Sequence, residues 1–130
     1  MSQGDTKDAL RASEAPASNE RRERHAQLVK IVPARREEYL ELHRAVWPEV
    51  EDRIRRSNIE NYSIFILDDL LIAYFEYVGS DIGTDMAAIA ADPVTQQWWK
   101  LTAPCQVPMA EAKAGSTWAH AEHVWRLSVA

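Results

Sequence analysis

Apolar and charged positions alternate along residues 37–54 with the period of an α-helix. The larger side chains recur every three or four residues, at Tyr39, His43, Val46, Val50 and Ile54. This spacing puts them on one stripe of a helix, the stripe that faces a protein core, with charged residues elsewhere. The pattern predicts an amphipathic helix that carries a phenol and an imidazole one turn apart and is interrupted at Pro48.

Four other stretches have the character of β-strands. Residues 59–67 and 70–78 are rich in aromatic and β-branched side chains, and only Asp68-Asp69 separates them, which predicts a hairpin. The second of these runs is almost continuously apolar, as expected of a strand buried on both faces. The remaining two strands are predicted at the ends of the folded region, over residues 26–32 and 118–129.

Two helices are predicted between the hairpin and the last strand. An apolar helical pattern runs from Ile82 to Ala90, and Asp92-Pro93 then starts a second helix, with the aspartate as N-cap and the proline in the first turn. Residues 102–117 contain two prolines and a glycine and are interpreted as a long loop.

The order strand, helix, strand, strand, helix, strand predicts an α+β fold of the ferredoxin-like βαββαβ type. Its four strands form an antiparallel sheet, with both helices on one face. The other face also needs cover, which predicts a homodimer that stacks sheet on sheet. The expected apolar residues of that second face are Phe65, Ala73, Phe75, Tyr77 and Trp125.

Composition limits the remaining possibilities. Residues 1–22 lack an apolar period and are interpreted as a disordered N-terminal tail, which leaves one domain over residues 23–130. The net charge of −5 argues against a nucleic-acid partner. No apolar run reaches the roughly 18–20 residues of a membrane span. The single cysteine, Cys105, excludes an internal disulfide, and the first residues do not resemble a secretory signal, so a cytoplasmic location is expected.

His43 is the residue best suited to chemistry, because histidine exchanges protons near neutral pH. A purely structural histidine in the core fits the same spacing. No metal site and no nucleotide cofactor are expected, since the chain lacks clustered Cys and His ligands and a glycine-rich phosphate loop. Five tryptophans offer flat surfaces on which a sugar could pack, although core and dimer packing would use them as well.

Three motifs resemble the L-rhamnose mutarotase family in content, order and spacing. They are Glu-Glu-Tyr-x-x-x-His-x-x-x-Trp-Pro-Glu over residues 37–49, Asn61-Tyr62, and Gln-Trp-Trp-Lys over residues 97–100. The resemblance extends from Ala26 to Leu127. It implies a dimeric α/β-barrel type of fold, no cofactor, and interconversion of the α and β anomers of a 6-deoxy-hexose such as L-rhamnose.

The same resemblance implies that His43 is the proton donor. It also implies that Tyr39, Tyr62, Trp98 and Trp99 bind the sugar. Because Trp98 and Trp99 are adjacent on a predicted helix, they cannot share one face, and one is expected to stack on the sugar while the other packs. Two other functions fit this architecture: a small dimeric monooxygenase or isomerase, and a non-catalytic sugar-binding dimer.

Overall fold

An antiparallel sheet of five strands forms the framework of the protein, whose computed structural model describes residues 22–128. Strand β1 (Glu23–Ile31) pairs along its length with β3 (Leu70–Tyr77), which pairs in turn with β2 (Ile59–Leu67). Two short strands, β4 (Gln106–Val107) and β5 (Ala119–Ala121), pair with the opposite edge of β1. The predicted ferredoxin-like sheet is therefore confirmed, with β4 as an addition.

Within residues 22–128, four α-helices cover one face of this sheet, called the inner face below. They are α1 (Arg36–His43), α2 (Pro48–Arg56), α3 (Ile82–Ala91) and α4 (Pro93–Thr102). The helix predicted over residues 37–54 is divided into α1 and α2, and Pro48 becomes the first residue of α2, where its missing N–H is not needed.

The start of α4 agrees with the prediction made from Asp92-Pro93. The Asp92 carboxylate accepts a hydrogen bond of 2.9 Å from the Thr95 backbone N–H, so it caps one of the free donors in the first turn. Asp81 caps α3 in the same way, by accepting from the Thr84 backbone N–H at 3.2 Å. The Asp92 cap helps to fix the helix that carries Trp98 and Trp99 over the sheet.

Strand β3 alternates between the two faces of the sheet, and in the protomer only one of its faces is fully buried. Burial of the other face stays a prediction, because it depends on the predicted homodimer. Leu71, Ala73, Phe75 and Tyr77 are buried beneath the helices, and the residues between them are only half-buried. Ala73, Phe75 and Tyr77 therefore belong to the inner face, not to the opposite face as predicted. A continuous apolar run hides this alternation, because both sets of positions have similar side chains.

The opposite side of the sheet, the outer face, has no helix over it within the described residues. Phe65 lies in register with Ile72, and it is 59% exposed. Leu67 is 64% exposed on the same strand, and Trp125, in the segment after β5, is 74% exposed. Two of the five residues predicted to need cover, Phe65 and Trp125, are thus open to solvent in the protomer.

The ends of the folded region depart from the prediction. The first strand begins at Glu23 rather than residue 26, and only Ala119–Ala121 of the predicted strand 118–129 pairs in the sheet. Residues 122–128 form neither helix nor strand. Residues 1–21, most of the predicted tail, lie outside the described part. Within residues 22–128, no helix combines the length and apolar character that crossing a bilayer requires.

Candidate functional site

A cavity of about 860 Å³ opens between the inner face of the sheet and the helices. This volume lies in the range of roughly 300–1,000 Å³ that is usual for small-molecule sites. All five residues predicted to form the site line this cavity, although they come from three separate parts of the chain. They are Tyr39, His43, Tyr62, Trp98 and Trp99.

His43 and Tyr39 form the helical wall of the cavity together. They lie one turn apart on α1, and their rings stack with centroids 4.2 Å apart. The Nδ1 atom of His43 lies 2.9 Å from the Tyr39 backbone carbonyl oxygen. Because a carbonyl only accepts, Nδ1 is the donor and carries the hydrogen. Nε2 is therefore the ring nitrogen left to exchange a proton with a ligand.

Burial sets the protonation of both side chains. Desolvation lowers the pKa of His43, and the hydrogen bond to the Tyr39 carbonyl opposes this shift only in part. Burial raises the pKa of Tyr39, so its phenol stays protonated at neutral pH. The neighbouring Gln106 side chain opposes this rise in the Tyr39 pKa only in part. The wall thus offers a neutral imidazole beside a neutral hydroxyl.

The two adjacent indoles of α4 have different surroundings. Trp98 is only 5% exposed, and it meets the His43 ring edge-on at 5.4 Å and the Trp47 ring at 5.3 Å. Trp99 is 43% exposed, although it lines the same cavity. The difference agrees with the expectation that neighbouring helical positions cannot share one face. Trp98 supports the histidine from behind, and Trp99 is open to a ligand.

Tyr62 stands on the sheet side of the cavity. Its ring stacks on Phe75 of the neighbouring strand, with centroids 5.8 Å apart. Desolvation raises the pKa of Tyr62, even though 42% of the residue is exposed. The strand pairing is irregular between Glu60 and Ser63, just where Tyr62 occurs. Its phenol is, like that of Tyr39, a neutral hydrogen-bonding group at neutral pH.

Two polar residues of the sheet wall were not singled out from the sequence for this site. Gln27 on β1 lies in register with His120 on β5, and their Nε2 atoms are 3.3 Å apart. Both line the cavity. The sequence does give one hint of this position. Gln27 lies two residues before Val29 and four before Ile31, so its side chain is on the same face of β1 as these two residues, which are buried on the inner face. Among residues 22–128, no three His, Cys, Asp or Glu side chains cluster closely enough to hold a metal ion.

Comparison with known proteins identifies the family. The family model described as L-rhamnose mutarotase matches residues 24–127. The chain belongs to the L-rhamnose mutarotase family. A family member from Listeria monocytogenes serotype 4b is 37% identical over 82 residues, which is 63% of this chain and 78% of that protein. One from Burkholderia ambifaria is 35% identical over 71 residues, or 55% of this chain and 67% of the relative. Both are named L-rhamnose mutarotase, an isomerase that acts on a carbohydrate.

Solved structures of other proteins confirm the fold class. The crystal structure of an L-rhamnose mutarotase from Formosa agariphila has a TM-score of 0.62 and 23% identity, and covers 82% of this chain and 99% of its own. Tetracenomycin F2 cyclase from Streptomyces glaucescens, a type-II polyketide cyclase, has a TM-score of 0.54 and 15% identity over the same shares. Because one fold serves a mutarotase and a cyclase, fold alone does not assign the reaction.

Proposed function

We propose that the protein interconverts the α and β anomers of L-rhamnose, or of a closely related 6-deoxy-hexose, inside the inner-face cavity. The observation that carries this proposal is the convergence of three motifs. Tyr39 with His43, Tyr62, and Trp98 with Trp99 are far apart in the sequence, yet they line one cavity. These are also the residues to which the family resemblance assigns the chemistry.

Mutarotation requires only proton movements and one bond rotation. The bond between the anomeric carbon and the ring oxygen breaks, the ring oxygen gains a proton, and the anomeric hydroxyl gives one up to water or to another polar group. Rotation about C1–C2 and reclosure then give the other anomer. Because no electrons or groups are transferred to another molecule, the proposed reaction needs no cofactor.

In this proposal His43 donates the proton to the ring oxygen through Nε2. Its Nδ1–H is held by the Tyr39 carbonyl at 2.9 Å, which fixes the ring and leaves Nε2 as the working atom. The lowered pKa makes the imidazolium form a stronger acid, although less of it is present at neutral pH. One positioned acid typically contributes ~10²–10⁴-fold in rate, which is enough for a reaction that also proceeds without a catalyst.

The aromatic residues are proposed to hold the sugar. The hydroxyls of Tyr39 and Tyr62 hydrogen-bond ring hydroxyls, because both phenols are protonated at neutral pH. Trp99, the exposed indole, stacks on the C–H face of the ring. Trp98 is the packing indole, and it acts by holding the His43 ring edge-on.

We also propose that the protein is a homodimer whose second copy covers the outer face. Phe65 and Leu67 are more than half exposed there, and burying them against their own counterparts would satisfy the twofold symmetry of most dimers. The segment after β5 adds three exposed apolar side chains without any strand pairing in the protomer, which suits a contact with another chain. These side chains are Val124, Trp125 and Leu127.

A cytoplasmic location belongs to the same proposal. Cys105 is buried and free, as suits a protein that matures under reducing conditions. Cell fractionation with an antibody against the chain tests this directly. The enzyme should accompany cytoplasmic markers, and its recovery with the membrane fraction would contradict the assignment.

The test of the function is saturation transfer between the anomeric proton signals of L-rhamnose in NMR. Catalytic amounts of the protein should accelerate exchange between the α and β signals. Acceleration with none of a panel of aldoses would refute the proposal. Oxygen uptake with aromatic substrates would instead favour the monooxygenase, and sugar binding without faster exchange would favour the non-catalytic dimer.

A further inference from the structure

Gln27 and His120 form a second polar group on the cavity wall, carried by the sheet rather than by α1. The two residues lie in register on neighbouring strands and are hydrogen-bonded, with 3.3 Å between their Nε2 atoms. Gln27 is half-buried and His120 is exposed, so the pair stands at the open end of the cavity. A ligand that enters the cavity would meet this pair as well as His43.

The hydrogen bond within the pair determines what it offers a ligand. An amide nitrogen only donates, so Nε2 of neutral His120 accepts, and its hydrogen is on Nδ1. His120 Nδ1–H and the second amide N–H of Gln27 then remain as free donors, and the Gln27 carbonyl oxygen remains as a free acceptor. Turning the amide over makes His120 Nε2–H the donor within the pair, and it leaves the Gln27 N–H groups as donors and His120 Nδ1 as an acceptor.

The pair thus offers both donors and an acceptor, which is what two neighbouring hydroxyls on a sugar ring require. The flanking parts of the sheet wall, Ile64 and Phe75, are apolar and cannot satisfy such hydroxyls. A sugar hydroxyl that leaves water without gaining a partner weakens binding. We propose that the Gln27–His120 pair binds two adjacent ring hydroxyls of the substrate and thereby selects their configuration. This inference rests on the proposed function, because it names the selective subsite of the same cavity.

Two substitutions remove the hydrogen bonds with little change in size: Gln27→Met and His120→Phe. His123→Phe is the matched control, since His123 is exposed and does not line the cavity. The dissociation constant for L-rhamnose from calorimetry and the KM from anomer exchange should each rise about 5–10-fold in the two variants, as expected for a lost hydrogen bond of ~1–1.4 kcal/mol. The substitutions should raise KM by a larger factor than they lower kcat. The double variant should be little worse than either single variant, because the two residues act as a unit.

The preference of the enzyme among sugars distinguishes a binding role of the pair from a purely structural one. L-Rhamnose is compared with 6-deoxy-L-glucose, its epimer at C2, and with 6-deoxy-L-talose, its epimer at C4. The preference of the wild type for L-rhamnose in kcat/KM should fall several-fold in Gln27→Met and His120→Phe and stay constant in His123→Phe. Thermal melts of all variants verify that the fold is retained, and Gln27→Leu serves if Gln27→Met does not fold.

The outcomes separate this inference from the proposed function. Unchanged KM, affinity and sugar preference in both variants overturn the role of the pair, even if the wild type exchanges anomers. If the wild type binds L-rhamnose without accelerating exchange, and the variants bind it more weakly, the subsite stands and the mutarotase proposal fails. A wild type that binds no sugar overturns both.

Discussion

The two faces of the sheet differ in what covers them, although alternate residues of the same strands form both. Toward the inner face, β3 directs Ala73 and Phe75 under the helices, next to a cavity that is lined by His43. Toward the outer face, the neighbouring strand leaves Phe65 mostly exposed and uncovered within the described residues. Chemistry and assembly are therefore separable in this molecule, because alternate residues of a strand serve one or the other. Substitutions on one face should therefore leave the property of the other face intact.

The largest expected effect is on the inner face, at His43. Replacement of His43 by alanine should slow enzyme-dependent anomer exchange by about 10²–10⁴-fold, because it removes the proposed proton donor. The fold and the oligomeric state should not change, since the imidazole is only half-buried. Saturation-transfer NMR measures the rate, and circular dichroism with sedimentation checks the rest. His123→Ala is the control and should exchange like wild type.

Substitution of the two indoles should affect two different properties: stability for Trp98 and sugar binding for Trp99. Trp98→Ala should lower the free energy of unfolding by about 3–5 kcal/mol, because it empties a buried site behind His43. Trp99→Ala should change stability little and weaken L-rhamnose binding about tenfold, or ~1.4 kcal/mol. Urea titrations and calorimetry measure the two quantities. If the affinity loss appears with Trp98 and not with Trp99, the stacking role has been assigned to the wrong ring.

A negative charge introduced on the outer face should dissociate the proposed dimer without stopping anomer exchange. Phe65→Glu and Trp125→Glu should each weaken self-association by about 1.5–3 kcal/mol, the value of one large apolar side chain, and shift sedimentation toward the monomer. Leu101→Glu is the control, since Leu101 is an exposed apolar residue on α4, away from the outer face. Exchange per protomer should persist, because Tyr39 and His43 belong to the same chain. Sedimentation of the wild type as a monomer would refute the proposed dimer.

The smallest expected effect is on the pH dependence. The His43 pKa is lowered by burial, so the imidazolium form is lost as pH rises through a value below the usual 6.5. If this form is the donor, kcat/KM should fall by up to about tenfold per pH unit above that pKa. This decrease of kcat/KM with pH should be absent in His43→Ala. A profile that rises with pH instead would make Nε2 of His43 a proton acceptor.

Features that depend on local sequence were predictable. The capping of α4 by Asp92, the hairpin turn at Asp68-Asp69 and the spacing of Tyr39 and His43 are each encoded within a few residues. The resemblance to the family then supplied Tyr62 and the two indoles, which the structure brings to the same cavity as His43.

Features that depend on pairing between distant residues were not predictable. The face that Phe75 adopts could not be read from an apolar run in which both alternations look alike. The Gln27–His120 contact joins residues that are 93 positions apart, and only the register of β1 with β5 reveals it. The last strand is shorter than its sequence suggested, because residues after Ala121 have no partner strand in the protomer.

Catalysis in the inner-face cavity requires that a sugar ring bind there against the imidazole of His43. Titration of L-rhamnose into the wild type, followed by NMR of the histidine ring protons, detects this contact, with signals assigned from single His variants. The His43 signals should shift in a saturable way while those of His123 do not move. L-Rhamnose binding that leaves the His43 signals unmoved would refute the proposed site.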